Sequence, residues 1–296
     1  MGAPEAGGPD GLAVVDKPAG WTSHDVVARS RRLLGTRKVG HSGTLDPDAT
    51  GVLVLGVGRA TRLLRYLSGL DKRYVGEVVL GTATTTLDAS GEVTGSWDMA
   101  GTSLEEVRTA ARALTGDLDQ VPPMVSAKKV GGRRLHALAR AGVEVERAPV
   151  RVHVHELSVG EPVAAGVFPV EVACSSGTYV RSLAADLGAA LGGGAHLRSL
   201  RRLAVGPYGV DEAVPLEDLA PERLLPPVEA LRGRPCLPVD GALAGLVCHG
   251  RVLDAGVLGA TGEGPWAVVD PEGSLLAVYE RHGHGTVKPG VVLATG

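Results

Sequence analysis

The chain has 296 residues, 44% hydrophobic and 21% charged, which excludes wholesale disorder and allows one large core plus a small second unit. No apolar stretch nears the roughly 18 residues of a membrane helix. The opening MGAPEAGGPD, with Ala at position 6, lacks the features of a signal peptide or a myristoylation site, so a cytoplasmic protein with no membrane partner is expected. Formal net charge is −3, but it is segregated. Residues 29–73 carry ten basic against three acidic side chains, 124–151 seven against two, and 181–202 four against one. If these runs fold onto one face, that face attracts phosphates; taken singly, each is ordinary solvated surface. Three cysteines without a CxxC pair indicate neither a disulfide framework nor a zinc knuckle.

In chain order, residues 1–10 read as a loose tail and 11–16 as a strand stopped by Pro18. Thr22-Ser23-His24-Asp25 offers a capping box for a helix that ends at Gly35. Residues 37–51 read as a loop rich in glycine, and 61–70 as a second, basic helix ended by Gly69. Arg73–Leu80 alternates as a strand. Ser103 and Glu106 cap another helix closing at Gly116, and 152–159 with 167–174 form a strand hairpin. Residues 176–191 begin as a turn and continue as a helix. The elements intersperse without βαβ spacing, which predicts an α+β catalytic domain over 11–235 with a mixed, largely antiparallel sheet. Residues 214–238 read as a connecting segment. A small β-rich domain over 236–296 follows, with strands at 266–270, 275–279 and 291–294.

The chemistry concentrates in Gly40–Gly51, GHSGTLDPDATG. Pro47 pushes Asp46 toward extended backbone, which holds its carboxylate on a rigid loop. Asp48 reads as a turn or cap group, and Gly56-Val57-Gly58 is a broken phosphate-loop pattern. His153 with His155, and His282 with His284, lack a third ligand at zinc spacing, so no metal site is expected. Lys128, Lys129, Arg133 and Arg134 flank two glycines, as in a loop that closes on RNA or an ordinary surface hairpin.

GHSGTLDPDATGVL resembles the signature GH-x-G-x-LDP-x-ATG of the TruB family of bacterial tRNA pseudouridine-55 synthases. VVDKPAGWTSHD (14–25), DKRYVGEVVLG (71–81), QVPPMVSAKKVGGRRLHALARAG (120–142), CSSGTYVRSLAADLG (174–188) and GGAHLRSLRRLAV (193–205) extend the resemblance in order over about residues 11–220. The C-terminal part resembles the family's small PUA-like domain more loosely. The resemblance implies an isomerase that breaks the N1–C1′ bond of a uridine in the T-loop of tRNA and rejoins the base through C5, with no metal or organic cofactor. A monomer is expected.

By the same resemblance Asp46 is the nucleophile, at C1′ or along a glycal route. Arg181 pairs with it, and a bidentate guanidinium would keep it ionised and aimed. Tyr74 stacks on the target base and is a candidate for proton transfer at C5. Tyr179 and Leu200 line the base pocket, His41 enters the space left by flipped nucleotides, and Lys17 with Pro18 supports the pocket wall. Flipping costs a few kcal/mol, which an inserted ring and stacking of about 1–3 kcal/mol could offset. Thr85 stands where the family usually has Asp. The alternatives are a non-catalytic RNA-binding or RNA-folding protein, a synthase for another RNA loop, and a glycosidase using Asp46 and Asp48. An intact Asp46, Tyr74 and Arg181 set favours the enzyme, because a pure binder gains nothing from a carboxylate among phosphates.

Overall fold

The computed structural model describes residues 8–126, 129–130, 133–134, 143 and 145–294. Strand β1 (Gly11–Lys17) leads through a turn into helix α1 (Ser23–Leu33). The capping box is realised: the Asp25 amide donates to the Thr22 hydroxyl, and the Thr22 amide donates to the Asp25 carboxylate. Beyond the helix, Gly35 takes φ +62°, the left-handed conformation in which helices commonly end on glycine. The predicted 37–51 loop contains strand β2 (Val39–His41), which folds antiparallel onto β3 (Thr50–Val57). Residues 42–49 between them form the loop that carries Asp46.

The sequence predicts one helix over 61–70; the structure divides it into a 3-10 turn (Gly58–Leu63) and helix α2 (Leu64–Ser68). Gly58 turns with φ +59°, and its amide donates to Lys38 O while that of Arg59 donates to Asp10. The chain therefore leaves β3 as a tight turn, and regular α geometry starts only at Leu64.

Strand β4 (Lys72–Leu80) is followed by a separate hairpin of β5 (Thr82–Thr84) and β6 (Val93–Ser96). Helix α3 (Leu104–Ala113), capped by Ser103 and Glu106, leads into β7 (Gly116–Gln120). Strands β8 (Lys129–Val130) and β9 (Arg133–Arg134) pair with each other, while Lys128 and residues 1–7 of the expected tail lie outside the described residues. Strands β10 (Val150–Val159) and β11 (Val167–Cys174) form the predicted hairpin. Helix α4 (Val180–Ala190), β12 (Ala195–Val205), β13 (Tyr208–Gly209) and β14 (Val214–Pro215) follow.

These strands form a sheet in the order β14-β1-β3-β12-β4-β11-β10-β7, with β2 on β3 and β13 on β12. Only β1/β14 and β3/β12 are parallel among its pairs, which gives the expected α+β class. The sequence does not announce β3 or β12 as strands. β3 is buried along nearly its whole length, so alternation is absent. β12 carries two bulges, after Leu197 and after Arg202, which break the two-residue period.

Gly51 shows why the loop ends in glycine. Its φ is +100°, and a Cβ there would lie 2.1 Å from Arg202 O on the paired strand. Gly51→Ala is expected to lower stability by at least about 2 kcal/mol through combined strain and overlap, read as a fall in the urea midpoint. An unchanged midpoint would refute the close approach of β3 to β12.

A second sheet has the order β15-β17-β18-β19-β16. Its strands are β15 (Cys236–Pro238), β16 (Leu253–Asp254), β17 (Trp266–Val269), β18 (Leu275–His282) and β19 (Thr286–Val292). The last begins before the predicted 291–294 because a tight turn after His282 returns the chain at Thr286. Residues 214–238 are more than a connector. Leu216, Leu219, Ala230 and Leu231 are buried, and Leu225 exchanges backbone hydrogen bonds with Leu12.

The two sheets share one apolar cluster, in which Leu12, Val14, Leu63 and Leu67 pack with Val278, Val291 and Leu293. Polar groups reinforce it: Tyr66 Oη donates to Glu280 at 2.7 Å, and Arg59 and Arg62 donate to Leu293 O and Val292 O at 2.7 and 2.6 Å. Arg65 lies 3.4 Å from Glu280. Three arginines of the first basic run thus serve the junction between sheets, which corrects the idea that the whole run faces phosphate.

Candidate active site

Four separated segments converge on one cavity of about 240 Å³. The 42–49 loop brings Asp46, the start of β4 brings Lys72 and Tyr74, the start of α4 brings Tyr179 and Arg181, and β12 brings Leu200 and Arg202. Of the seven residues singled out from sequence, Asp46, Tyr74, Arg181, Tyr179 and Leu200 line this cavity. Lys17 and His41 do not.

The loop under Asp46 is held residue by residue. The Leu45 amide donates to Ser23 Oγ at 2.9 Å, and Ser23 Oγ donates to Leu45 O at 3.1 Å. Lys17 Nζ donates to Pro47 O at 2.8 Å, to Pro18 O at 2.9 Å and to Trp21 O at 2.5 Å. Arg202, buried, donates to Val52 O at 2.7 Å and to Thr44 O and Gly43 O at 3.4 and 3.3 Å. Leu45 and Ala49 are buried on either side of Asp46, so the aspartate rides on an anchored loop. Lys17 is fully buried, and burial lowers its pKa to about 8. Its place is beneath the loop, where it braces Pro47.

Arg181 is 4% exposed, while the Asp46 side chain is 40% exposed. The guanidinium grips the carboxylate at two points: Nη2 donates to Oδ1 at 3.0 Å, and Nε lies 2.9 Å from Oδ2 as an ion pair. Its other donors reach Thr86 O at 3.0 Å and Val125 O at 2.8 Å, and Asp88 Oδ2 lies 3.4 Å away. Every side of the fork meets an acceptor, which holds Arg181 in one orientation. Burial raises the Asp46 pKa and the Asp88 charge adds to the rise, whereas Arg181 and Lys17 oppose it.

Asp88 and Gln120 escape the sequence reading. Asp88 accepts from Thr86 Oγ1 at 2.5 Å and Ser90 Oγ at 2.6 Å and presents its other oxygen to Arg181. A flanking Thr-x-Asp-x-Ser is the available signal, but it reads equally as a turn. Thr85 instead closes that turn: its amide donates to Glu92 O, and its hydroxyl accepts from the Glu92 amide. Gln120, buried at the end of β7, accepts from the Tyr179 amide at 2.7 Å and donates to Tyr179 O at 3.1 Å. It fixes the start of α4 and thereby the ring of Tyr179.

Tyr74 is 8% exposed. Burial raises the pKa of its phenol, opposed by the positive charge of the nearby Arg202 guanidinium. His41 packs edge-on against His24 with ring centroids 5.5 Å apart, outside the cavity. Asp48 is exposed and lines a neighbouring cavity of about 240 Å³ on the far side of the Asp46–Arg181 pair. Among the described residues no group of three or more His, Cys, Asp or Glu could hold a metal ion, and no helix is long and apolar enough to cross a membrane. His153 and His155 pair with Asp117 and Asp71 at 2.7 and 3.0 Å.

Residues 31–180 match the TruB family pseudouridylate synthase N-terminal domain. Residues 181–243 match the tRNA pseudouridylate synthase B C-terminal domain, and 235–294 match tRNA pseudouridine synthase II, C terminal. The chain is 48% identical over 296 residues to tRNA pseudouridine synthase B of Arthrobacter sp. (strain FB24), covering 96% of each. It is 51% identical over 280 residues to the protein of that name from Rhodococcus jostii (strain RHA1), covering 92% of this chain and 90% of the other. Among solved structures, a chain of a Cbf5-Nop10-Gar1 complex superposes with TM-score 0.71 at 25% identity, over 95% of this chain and 84% of that one. With the Asp46–Arg181 pair set in the wall of a pocket beside Tyr74, and with these matches running from residue 31 to residue 294, the chain belongs to the TruB family of pseudouridylate synthases.

Proposed function

We propose that this chain is a tRNA pseudouridine synthase, an isomerase, and that its target is uridine-55 in the T-loop of tRNA, bound as a flipped-out nucleotide by a monomer. The observation that carries the reading is the hydrogen-bonded Arg181–Asp46 ion pair on the wall of a chamber that also holds Tyr74, Tyr179 and Leu200. Residues 11–235 supply the chemistry, and 236–296 form the small C-terminal domain.

The geometry supports a definite division of labour. Asp46 is exposed enough to meet the ribose at C1′, and the Arg181 grip aims it and favours its ionised form. The N1–C1′ bond breaks with its electron pair remaining on the base. The base turns over Tyr74, C5 bonds to C1′, C5 loses its proton and N1 gains one. A pyrimidine ring fits a cavity of this size; its faces meet Tyr74 and Leu200. His41, packed against His24 and outside the cavity lining, meets the RNA loop from which the nucleotide is flipped.

Tritium release from tRNA transcripts carrying 5-tritiated uridine tests this. One equivalent of tritium per tRNA is expected, and none once position 55 is changed to cytidine. Release that persists with cytidine there would move the target to another uridine; no release from the intact transcript would reject the synthase reading.

A further inference from the structure

Lys72 is a cation in the reaction chamber that the mechanism above leaves unused. It precedes Tyr74 by two residues on β4, so both side chains leave the same face of the strand, and both are buried. Its ammonium donates to Ser68 O at 2.9 Å and to Leu70 O. These two carbonyls fix its position and leave one of its three N–H groups for the cavity it lines. The carbonyls belong to the end of α2 and the residues after it, the segment that Tyr66 ties to Glu280 of the second sheet, so the ammonium is held on a braced support. Among the described residues the other cations lining the chamber are committed: Arg181 to Asp46, Asp88 and two carbonyls, and Arg202 to three carbonyls.

We propose that Lys72 is a further catalytic residue: its ammonium donates to a carbonyl oxygen of the flipped uracil and stabilises the uracilate formed when N1–C1′ breaks. This rests on the synthase reaction proposed above. Heterolysis leaves the N1–C1′ electron pair on the base, where it delocalises onto the two carbonyl oxygens while C1′ is held by Asp46 or passes to the glycal. The anion then exists until C5 gives a pair to C1′, the C5 proton departs and N1 is protonated. A donor fixed in the wall of the chamber stabilises that charge with no reorganisation at the moment of cleavage. Because the charge is absent from the bound substrate, the benefit appears in the rate and hardly in binding.

The groups facing the ammonium are Arg202 from β12, the Cys174 thiol from β11 and Asp71 just before β4, and the Tyr74 phenol lines the same cavity. Burial is the main reason its pKa falls to about 8, with Arg202 adding to the fall and Cys174 and Asp71 opposing it. Deprotonation removes the positive charge, so the single-turnover rate is expected to fall as pH rises through about 8. Lys17 titrates in the same range, so the variant decides which lysine is responsible.

The experiment measures single-turnover rates and tRNA Kd for the parent and Lys72→Met, against pH, on transcripts bearing uridine, 2-thiouridine or 4-thiouridine at the target. Lys72→Met is expected to lose about 100-fold or more in rate, with Kd within threefold and the fall above pH 8 gone. Thio-substitution at the contacted oxygen is expected to slow the parent at least fivefold more than it slows the variant. The parent's pH profile and thio response need no variant, so they read the contact even if Lys72→Met folds poorly. A parent-like rate in Lys72→Met, a loss confined to Kd, or a fall above pH 8 that persists in the variant would overturn the assignment. If the parent released no tritium at all, the synthase reading would fail instead.

Discussion

Asp46→Asn is expected to cut tritium release by at least about 10⁴-fold while tRNA affinity stays within a few-fold of the parent. The amide keeps the size of the carboxylate but neither attacks C1′ nor balances charge beside Arg181. Affinity survives because it comes mainly from phosphate contacts made elsewhere. The fold survives too, because Arg181 retains Asp88, Thr86 O and Val125 O. Rates under single turnover and a filter-binding Kd separate the two effects. A variant that releases tritium at the parent rate removes Asp46 from the mechanism; one that loses binding in proportion makes it a substrate-holding group.

Arg181→Lys is expected to lose about 10²–10³-fold in single-turnover rate with little change in tRNA Kd. Lysine keeps the charge but not the fork, and the parent fork sets Nη2 3.0 Å and Nε 2.9 Å from the two Asp46 oxygens. Arg181→Ala is worse and differs in kind. Burial already pushes the Asp46 pKa up, with Arg181 the leading opposing charge. Removing Arg181 lets that pKa climb further, and each unit lowers the ionised fraction at lower pH by about tenfold. The acid limb of the rate profile therefore moves to higher pH in Arg181→Ala, and less far in Arg181→Lys. Because the Asp46 side chain is 40% exposed, water takes up part of the unpaired charge, so the stability cost stays below the roughly 3–5 kcal/mol of a fully buried pair. A rate in Arg181→Lys equal to the parent with weakened tRNA binding would make Arg181 a phosphate contact.

The local code of this chain was legible wherever a short segment decides its own conformation. Thr22 with Asp25 and Ser103 with Glu106 cap their helices because a hydroxyl and a carboxylate three residues apart satisfy orphan amides without outside help. The 152–159 and 167–174 hairpin alternates because one face is buried. Asp46 was recognisable because the proline after it and the glycines around it mark a rigid bend, and because the ordered motifs are those of one family.

What lay beyond the sequence depends on partners distant along the chain. β3 lacks alternation because its environment is apolar on both faces, and β12 hides behind bulges whose position is set by β4. Asp88 reads as a turn residue until the fold lays it on Arg181, 93 positions away, and Gln120 is an ordinary strand end until it meets Tyr179. The basic run was divided in the same way: Arg59, Arg62 and Arg65 turn toward the second sheet because buried carbonyls and Glu280 wait there, while Lys72 is driven into the chamber between two carbonyls. By itself the sequence determined the local bends and caps, and the ordered motifs that place the chain in its family. The tertiary structure alone decided which charges are buried against which, because desolvation and hydrogen-bond geometry depend on neighbours that packing brings together.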